Sequence, residues 1–208
     1  MPDHAEQIAA GLGRVAVYWR AAAWKAVTAA GLNPTQAEIL AYLSRRGPTR
    51  QGDLASVLGV SPASLSDSVA SLNAKGMIRR RADPQDRRVV QITLSDLGKA
   101  TQATLPEAPE DLLAALCALP AAEAGSMLRA LTRIIRALQE ARAIPVQRIC
   151  ATCQHFRPHV HDDAAAPHHC AFVDAAFGDA NLRLDCAEHE EAADQDRALT
   201  WARFDTAA

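Results

Sequence analysis

The sequence predicts a mainly α-helical (α+β) protein with a short β-hairpin and a small, irregular C-terminal segment. Apolar residues recur at helical spacing from about residue 3 to residue 143, which favours a series of amphipathic helices. Two short β-type segments flank the turn-forming residues 83–86, and from Cys150 onward the composition shifts to His, Cys and Asp. We therefore expect two domains, residues 1–146 and 147–208, a number that fits a length of 208 residues.

The first two predicted helices are separated by glycine and by a proline-containing start signal. The first runs from about residue 3 to residue 30 and is ended by Gly31. The second, from Gln36 to Arg46, follows Asn33-Pro34-Thr35 and stops at Gly47-Pro48. The second helix has Ile39, Leu40 and Leu43 on its inner face. The first carries one apolar stripe, formed by Ile8, Leu12, Val15, Trp19, Ala23, Ala26 and Val27.

Two short helices follow with a glycine turn between them. The third begins at Thr49 and is closed by Gly59; the fourth has Ser61 as its N-cap, Pro62 at the first helical position and Gly76 at its end. The predicted inner side of the fourth helix carries Leu65, Val69 and Leu72, and its predicted outer side carries Ser64, Ser66, Asp67, Ser68 and Ser71.

The hairpin and the remaining helices complete the first domain. Strands are predicted at residues 78–81 and 89–93. Ser95 caps a fifth helix, which Pro106 and Pro109 must kink or split, and a long last helix runs from about residue 121 to residue 143. Its apolar stripe is too extensive for one small domain to cover: Met127, Leu128, Leu131, Ile134, Ile135 and Leu138.

The third and fourth predicted helices, with the glycine turn between them, form a helix-turn-helix. The two strands and their basic turn follow as a β-wing, and proteins with this arrangement bind duplex DNA. Charge supports this function. Residues 44–99 carry ten Lys/Arg against five Asp/Glu, a net of +5, whereas residues 150–208 carry four against eleven, a net of −7. Positive charge is therefore concentrated in the segment 35–98, called the reading head below, as a phosphate-binding surface requires.

The predicted DNA contacts lie in the second helix and the wing. Short polar side chains at the start of a recognition helix reach base edges, and arginine suits a narrow minor groove. An exposed polar helix and an ordinary charged turn are the alternative interpretations. The candidate residues are Ser61, Pro62, Ala63, Ser64, Ser66, Asp67 and Ser68 on the helix, Arg80 as a backbone contact, and Arg87 and Arg88 in the wing.

A large part of the chain resembles a known protein family. Residues 5–143 are similar to the MarR family of winged-helix bacterial regulators in element order, in Asp83-Pro-x-Asp-Arg-Arg and in the following Thr93-Leu-Ser-x-x-Gly98. The resemblance implies a homodimer with intertwined terminal helices that binds a pseudo-palindromic operator, most often as a repressor. It also implies a small-molecule effector, for which Tyr18, Trp19, Trp24 and Tyr42 are candidates, although aromatic residues at helical spacing more often belong to the core.

The C-terminal segment predicts a metal site. Cys150 and Cys153 form a Cys-x-x-Cys loop, and Cys170 and Cys186 follow after 16 and 15 intervening residues. Four thiolates suit a closed, tetrahedral zinc site, in which His169 or His189, or the adjacent His168, could replace one cysteine. The same four cysteines could instead hold an iron–sulfur cluster, or no metal at all. Cys117, alone on an apolar helix, is expected in the core.

The function predicted is therefore a DNA-binding transcriptional regulator with an added zinc module. A cluster or labile thiolate site would make it a redox- or metal-sensing regulator, and a metal-organised protein–protein adaptor is a further alternative. We do not expect an enzyme: Glu188 lies beside the Cys and His residues, but four cysteines would close the coordination shell that a catalytic zinc needs open. No apolar run is long enough for a membrane span and the N-terminus lacks signal-peptide features, so a cytoplasmic location is expected.

Overall fold

The computed structural model describes residues 3–82 and 90–206, which form two compact units, Met1–Cys117 and Ala118–Ala208. The first unit contains α1 (His4–Ala29), α2 (Pro34–Arg46), β1 (Thr49–Arg50), α3 (Gln51–Leu58), α4 (Pro62–Ala74), β2 (Ile78–Ala82), β3 (Val90–Leu94), α5 (Asp96–Thr104) and α6 (Glu110–Cys117). The second contains α7 (Ala121–Glu140), β4 (Phe156–Arg157), β5 (His168–Cys170), β6 (Ala175–Phe177) and α8 (Asp194–Thr206), with single 3₁₀ turns at Cys150–Thr152 and Asp179–Asn181.

The core of the first unit is built by α2, α3, α4 and the sheet. Asn33 caps α2, since its side chain accepts the backbone N–H of Gln36 while the Gln36 side chain accepts that of Asn33. The predicted inner faces of α2 and α4 are confirmed. Their residues are at most 3% exposed: Ile39, Leu40, Leu43, Leu65, Val69 and Leu72.

The predicted hairpin is present, and a third strand joins it. The sheet order is β1–β3–β2 and all pairs are antiparallel, with Ile78 opposite Leu94 and Thr49 opposite Ile92. Ser95 ties the hairpin to α5, because its hydroxyl accepts the Gly98 backbone N–H (3.0 Å) and donates to the Gly76 carbonyl (2.6 Å). A Cβ at Gly98 would lie 2.0 Å from the Met77 carbonyl oxygen, so only glycine fits there.

Helices α5 and α6 are separate, as the two prolines predicted, but the sequence interpretation of Cys117 was wrong. Cys117 is exposed at the end of α6 rather than in the core. Exposed apolar side chains also follow the stripe predicted for α1, where Ile8, Leu12, Val15 and Trp19 are 41–53% exposed.

The second unit has a core of its own. Phe156, Leu182 and Phe204 are at most 4% exposed, and Leu128 of α7, Phe177 and Trp201 pack against them. Two features were not anticipated. Helix α8, which supplies Trp201 and Phe204, was not predicted. Helix α7 belongs to the same compact unit as the cysteine-bearing segment, although the composition of the sequence changes only near residue 146.

Helix α7 presents two different faces. Gly125, Thr132 and Arg136 are buried against the rest of the second unit, and the space beside Gly125 is filled by the backbone of Ala180, 3.2 Å from where a Cβ would be. Met127, Ile134 and Leu138 have the same spacing shifted by two residues, roughly 200° around the helix, and are 40–41% exposed. Half of the apolar stripe predicted for this helix is therefore exposed, whereas Leu128, Leu131 and Ile135 are half-buried.

A buried polar network joins α7 to β5. His168 is fully buried; its Nδ1 accepts the His159 backbone N–H (3.3 Å), so its Nε2 carries the proton and donates to Asp179 (2.8 Å). The Nε of Arg129 donates to the other Asp179 oxygen at 2.8 Å. Burial lowers the pKa of His168, although Asp179 opposes this, so the imidazole is neutral. Burial alone would raise the pKa of Asp179, but hydrogen bonds from His168 and Arg129 outweigh it and lower that pKa.

In the described ranges, no single helix is long and apolar enough to cross a membrane; the bent pair α6 and α7 together meets that test by length and composition only.

Removing the Asp179 charge tests this network. Asp179→Asn should lower the free energy of unfolding of the second unit by about 1–3 kcal/mol, because Arg129 and buried His168 lose a charged acceptor. Hydrogen–deuterium exchange of peptides from α7 and β5, with thermal unfolding, measures the loss. Asp174→Asn, at a side chain 93% exposed, is the matched control and should change stability by no more than about 0.5 kcal/mol. Equal effects of the two variants would contradict the role given to Asp179.

Candidate functional site

The reading head presents the start of α4 to solvent. Gly59 ends α3 in the left-handed conformation (φ 64°), and Ser61 then caps α4 by accepting the Ser64 backbone N–H at 3.2 Å. Because Leu65, Val69 and Leu72 fix the opposite side of α4 in the core, the orientation of the exposed side is set. That side carries Ser61, Pro62, Ala63, Ser64, Ser66 and Asp67, all exposed.

Two serines predicted on the outer side do not lie there. Ser68 is only 7% exposed because it is three residues after Leu65, on the same buried stripe of the helix. Ser71 is half-buried, and its hydroxyl accepts a hydrogen bond from the Gln36 side-chain amide at 2.9 Å. The oxygen of that amide accepts a hydrogen bond from Lys75 Nζ, also at 2.9 Å. The sequence pattern missed this because it judged the two serines by polarity alone.

The basic strand β2 lies beside this helix in the same unit. Arg79, Arg80 and Arg81 are all exposed, and the Arg80 guanidinium reaches the Gln51 side chain of α3 at 3.5 Å. Alternation along the strand puts Arg80 on the face of Ile78 and the other two arginines on the opposite face. Arg87 and Arg88 lie outside the described residues, in the connection between β2 and β3. Exposed amides, hydroxyls and guanidinium groups are the donors that phosphate and base edges accept.

The four predicted cysteine ligands border one cavity of the second unit. Cys150, Cys153, Cys170 and Cys186 line a space of about 450 Å³. Its other apolar lining residues are several alanines, Phe156, Phe172, Val173 and Phe177. The Arg183 backbone N–H donates to Cys150 Sγ at 3.3 Å, and the Cys186 thiol donates to Glu188 at 3.4 Å. In the part of the chain that is described, no three Cys, His, Asp or Glu side chains are gathered closely enough to hold one metal ion.

The Cys150 thiol is the most perturbed titratable group of this cavity. Burial raises its pKa to about 11; the Arg183 hydrogen bond lowers it in part, and repulsion from Cys186, Cys153 and Cys170 raises it further. Without a cation the Cys150 thiol is therefore protonated at neutral pH. A metal ligand must be the thiolate, so binding of a cation has to displace this proton.

The structure places the histidines differently from the sequence expectation. His155 lines the cavity, whereas His169 contacts His161 (3.3 Å) and Asp174 (3.3 Å), and His189 contacts the Thr152 hydroxyl (2.9 Å). His168 is occupied by the Asp179 network. Glu188 has a pKa lowered by its own backbone N–H and by the Cys186 thiol, which donates a hydrogen bond to it.

The comparisons with known proteins concern the reading head most directly. Residues 30–89 match the model of the MarR family, which leaves the cysteine cavity outside the match. Over 68 residues the chain is 31% identical to the HTH-type transcriptional repressor MdtR of Bacillus subtilis, covering 33% of this chain and 44% of MdtR. The chain thus spans less than half the length of the curated relatives it matches, which are named as transcriptional regulators.

Solved structures show the fold of a larger part. A MarR family protein from Bacillus stearothermophilus superposes with a TM-score of 0.57 at 19% identity, covering 65% of this chain and 96% of that protein. CouR from Rhodococcus jostii RHA1, bound to p-coumaroyl-CoA, gives a TM-score of 0.51 at 20% identity over 70% of this chain and 98% of CouR. The larger part of the chain therefore has the winged helix-turn-helix fold of these structures, and residues 30–89 match the sequence model of the MarR family.

The N-cap of α4 can be tested with two serines of one helix. Ser61→Ala should destabilise α4 by about 1 kcal/mol, since the Ser64 N–H loses its acceptor. Amide exchange of the peptide containing residues 61–74 measures this. Ser66→Ala removes an exposed hydroxyl within the helix, where alanine is the better helix former, and should leave exchange unchanged or slower. Faster exchange in both variants would mean that the hydroxyl at Ser61 has no special role.

Proposed function

We propose that this chain is a homodimeric, sequence-specific transcriptional regulator of the MarR type that binds a pseudo-palindromic operator as a repressor. The observation that carries the proposal is the exposed start of α4, held by a buried stripe beside the basic strand β2, within the segment that matches the family. A repressor role is supported by the name of MdtR. No catalytic activity is part of this proposal, and a cytoplasmic location remains a prediction.

The exposed residues of α4 are assigned to the major groove. Ala63 offers a methyl surface to a thymine methyl, and Ser64 and Ser66 both donate and accept hydrogen bonds at base edges. The backbone N–H of Ala63, at the start of α4, suits a phosphate. Arg80 is assigned to phosphate, and Arg87 and Arg88 to the minor groove beside the major-groove site. Ser68 is omitted from this surface because it is buried.

Dimerisation is supported by apolar surface on the two longest helices. On α1 the exposed residues Ile8, Leu12, Val15 and Trp19 repeat at helical spacing, and on α7 Met127, Ile134 and Leu138 do the same. Contiguous apolar patches of this kind mark association surfaces in soluble proteins. A second copy of the chain would present the same patches, as a two-fold interface requires.

The remaining parts of the proposal concern ligands. A small-molecule effector is supported by the p-coumaroyl-CoA bound to CouR and by the exposed aromatic residues Tyr18, Trp19 and Trp24; Tyr42 instead packs against the core. The four cysteines are proposed as a metal centre, with zinc in a closed structural site or an iron–sulfur cluster as its occupant. His169 and His189 are not needed as ligands, because all four cysteines border the cavity.

Wing arginines provide the test of DNA binding. Arg87→Ala and Arg88→Ala should each weaken binding to the DNA upstream of the chain's own gene by about 1–3 kcal/mol, or roughly 5- to 150-fold, and should lower the salt dependence. Fluorescence anisotropy over a salt series measures both effects. Arg157→Ala, an exposed arginine of the second unit, is the matched control and should bind as the unaltered chain does. Unchanged affinity in both wing variants would remove the wing from the interface.

Light scattering tests the pairing surface. The unaltered chain should have twice the 22.2 kDa mass of one copy. Ile134→Asp with Leu138→Asp should shift it to the single-chain mass, since two charges would be buried in the interface. Ser126→Asp places a charge on another side of α7 and should leave the dimer intact. A dimer that survives the double variant would mean that this face of α7 is not paired.

A further inference from the structure

The cysteine cavity is much larger than a single ion requires. Its volume is about 450 Å³, whereas roughly 10–15 Å³ of such space accommodates one water molecule. The four cysteines come from three segments: Cys150 and Cys153 from one 3₁₀ turn and its end, Cys170 from β5 and Cys186 from the loop after Leu184. All three segments line the same space, which is therefore shared by the four cysteines.

A zinc tetrahedron has different dimensions. With Zn–S bonds of about 2.3 Å, its four sulfur atoms lie roughly 4 Å apart and leave no cavity between them. Over residues 3–82 and 90–206, the side chains do not gather in threes around one ion-sized point. All four cysteines nevertheless line one and the same cavity. They therefore share a space without gathering around a single ion-sized point.

We infer that this cavity holds an iron–sulfur cluster, with Cys150, Cys153, Cys170 and Cys186 as its four thiolate ligands. The inference rests on the metal centre of the proposed function and names its occupant. Four cysteines are the complete ligand set of both [2Fe–2S] and [4Fe–4S] clusters. Several iron and sulfide ions lie between the ligand sulfurs of such a cluster, so the ligands border one volume, as the four cysteines do here.

The surroundings of the cysteines suit a cluster. Phe156 and Phe177 form an apolar inner wall, and Phe172 and Val173 stand at the lining although they are 51% and 60% exposed. Such a shell limits the access of water to a cluster and thereby tunes its potential. The backbone N–H of Arg183 donates to Cys150 Sγ, and hydrogen bonds to ligand sulfur are a second determinant of that potential.

Elemental analysis of the full-length chain, purified without oxygen, tests the inference. We expect iron and acid-labile sulfide in equal amounts, about two or four of each per chain, with a brown colour and visible absorption. One zinc per chain in colourless protein would overturn the cluster and leave the metal centre standing. If neither metal is bound, either as purified or after incubation with ferrous iron and sulfide or with zinc sulfate, both are wrong.

Cysteine variants test the ligand assignment. Cys170→Ser and Cys186→Ser should each lose most of the iron and the visible absorption, both as purified and after reconstitution with ferrous iron and sulfide. Cys117→Ser is the matched control: Cys117 is exposed in the first unit and its loss should leave the iron content unchanged. Full iron content in the Cys170 and Cys186 variants would overturn the assignment. DNA binding, measured in the same preparations, tests the proposed regulator separately, since the reading head lies in the other unit.

Discussion

Helix α7 buries one face against the rest of the second unit and exposes an apolar face on the other side. The organisation of the second unit depends on the packing of the buried face. Its face with Gly125, Thr132 and Arg136 is covered by the chain itself, through the close backbone of Ala180 and through the Arg136 guanidinium, which lies 4.4 Å from the Trp201 ring centre. The apolar face with Ile134 and Leu138 stays uncovered. Gly125, Thr132 and Arg136 are thus buried within the second unit, against whose core Leu128 also packs, while Ile134 and Leu138 remain exposed.

Burial of one face also sets the orientation of α4 in the reading head. Because Leu65, Val69 and Leu72 are buried, the helix cannot rotate about its axis, and the cap at Ser61 fixes where it begins. The exposed side therefore consists of short side chains on a rigid element, supported by the sheet that carries Arg79, Arg80 and Arg81. Rigid placement of this kind is what base-edge recognition requires, because hydrogen bonds to bases depend on position as well as on chemistry.

Sequence reasoning predicted the elements of the first unit well and the second unit poorly. Strong signals such as Asn33-Pro34, Ser61-Pro62 and the glycines after the first four helices act locally, so they could be read without tertiary information. The exposure of Cys117 and the association of α7 with the cysteine segment depend on partners distant in sequence, whereas the burial of Ser68 was overlooked because polarity was weighed above its spacing from Leu65. Helix α8 was missed because it carries few large apolar residues, chiefly Trp201 and Phe204. The partner of Phe204, Phe156, lies 48 residues earlier.

The cysteines illustrate the same division. Their spacing predicted that they would act together, and the structure brings them to one cavity. Which histidine lies beside them could not be predicted from the sequence. His168 is hydrogen-bonded to Asp179, and no sequence motif marks Asp179 as its partner.

The most direct test of the central claim is a footprint of the full-length chain on the DNA upstream of its own gene, with the protein-to-duplex stoichiometry measured in parallel. The account predicts two chains per duplex and two protected half-sites whose centres lie about 10 base pairs apart or a multiple of that distance. A single chain bound per duplex, or equal binding to unrelated competitor DNA, would contradict it.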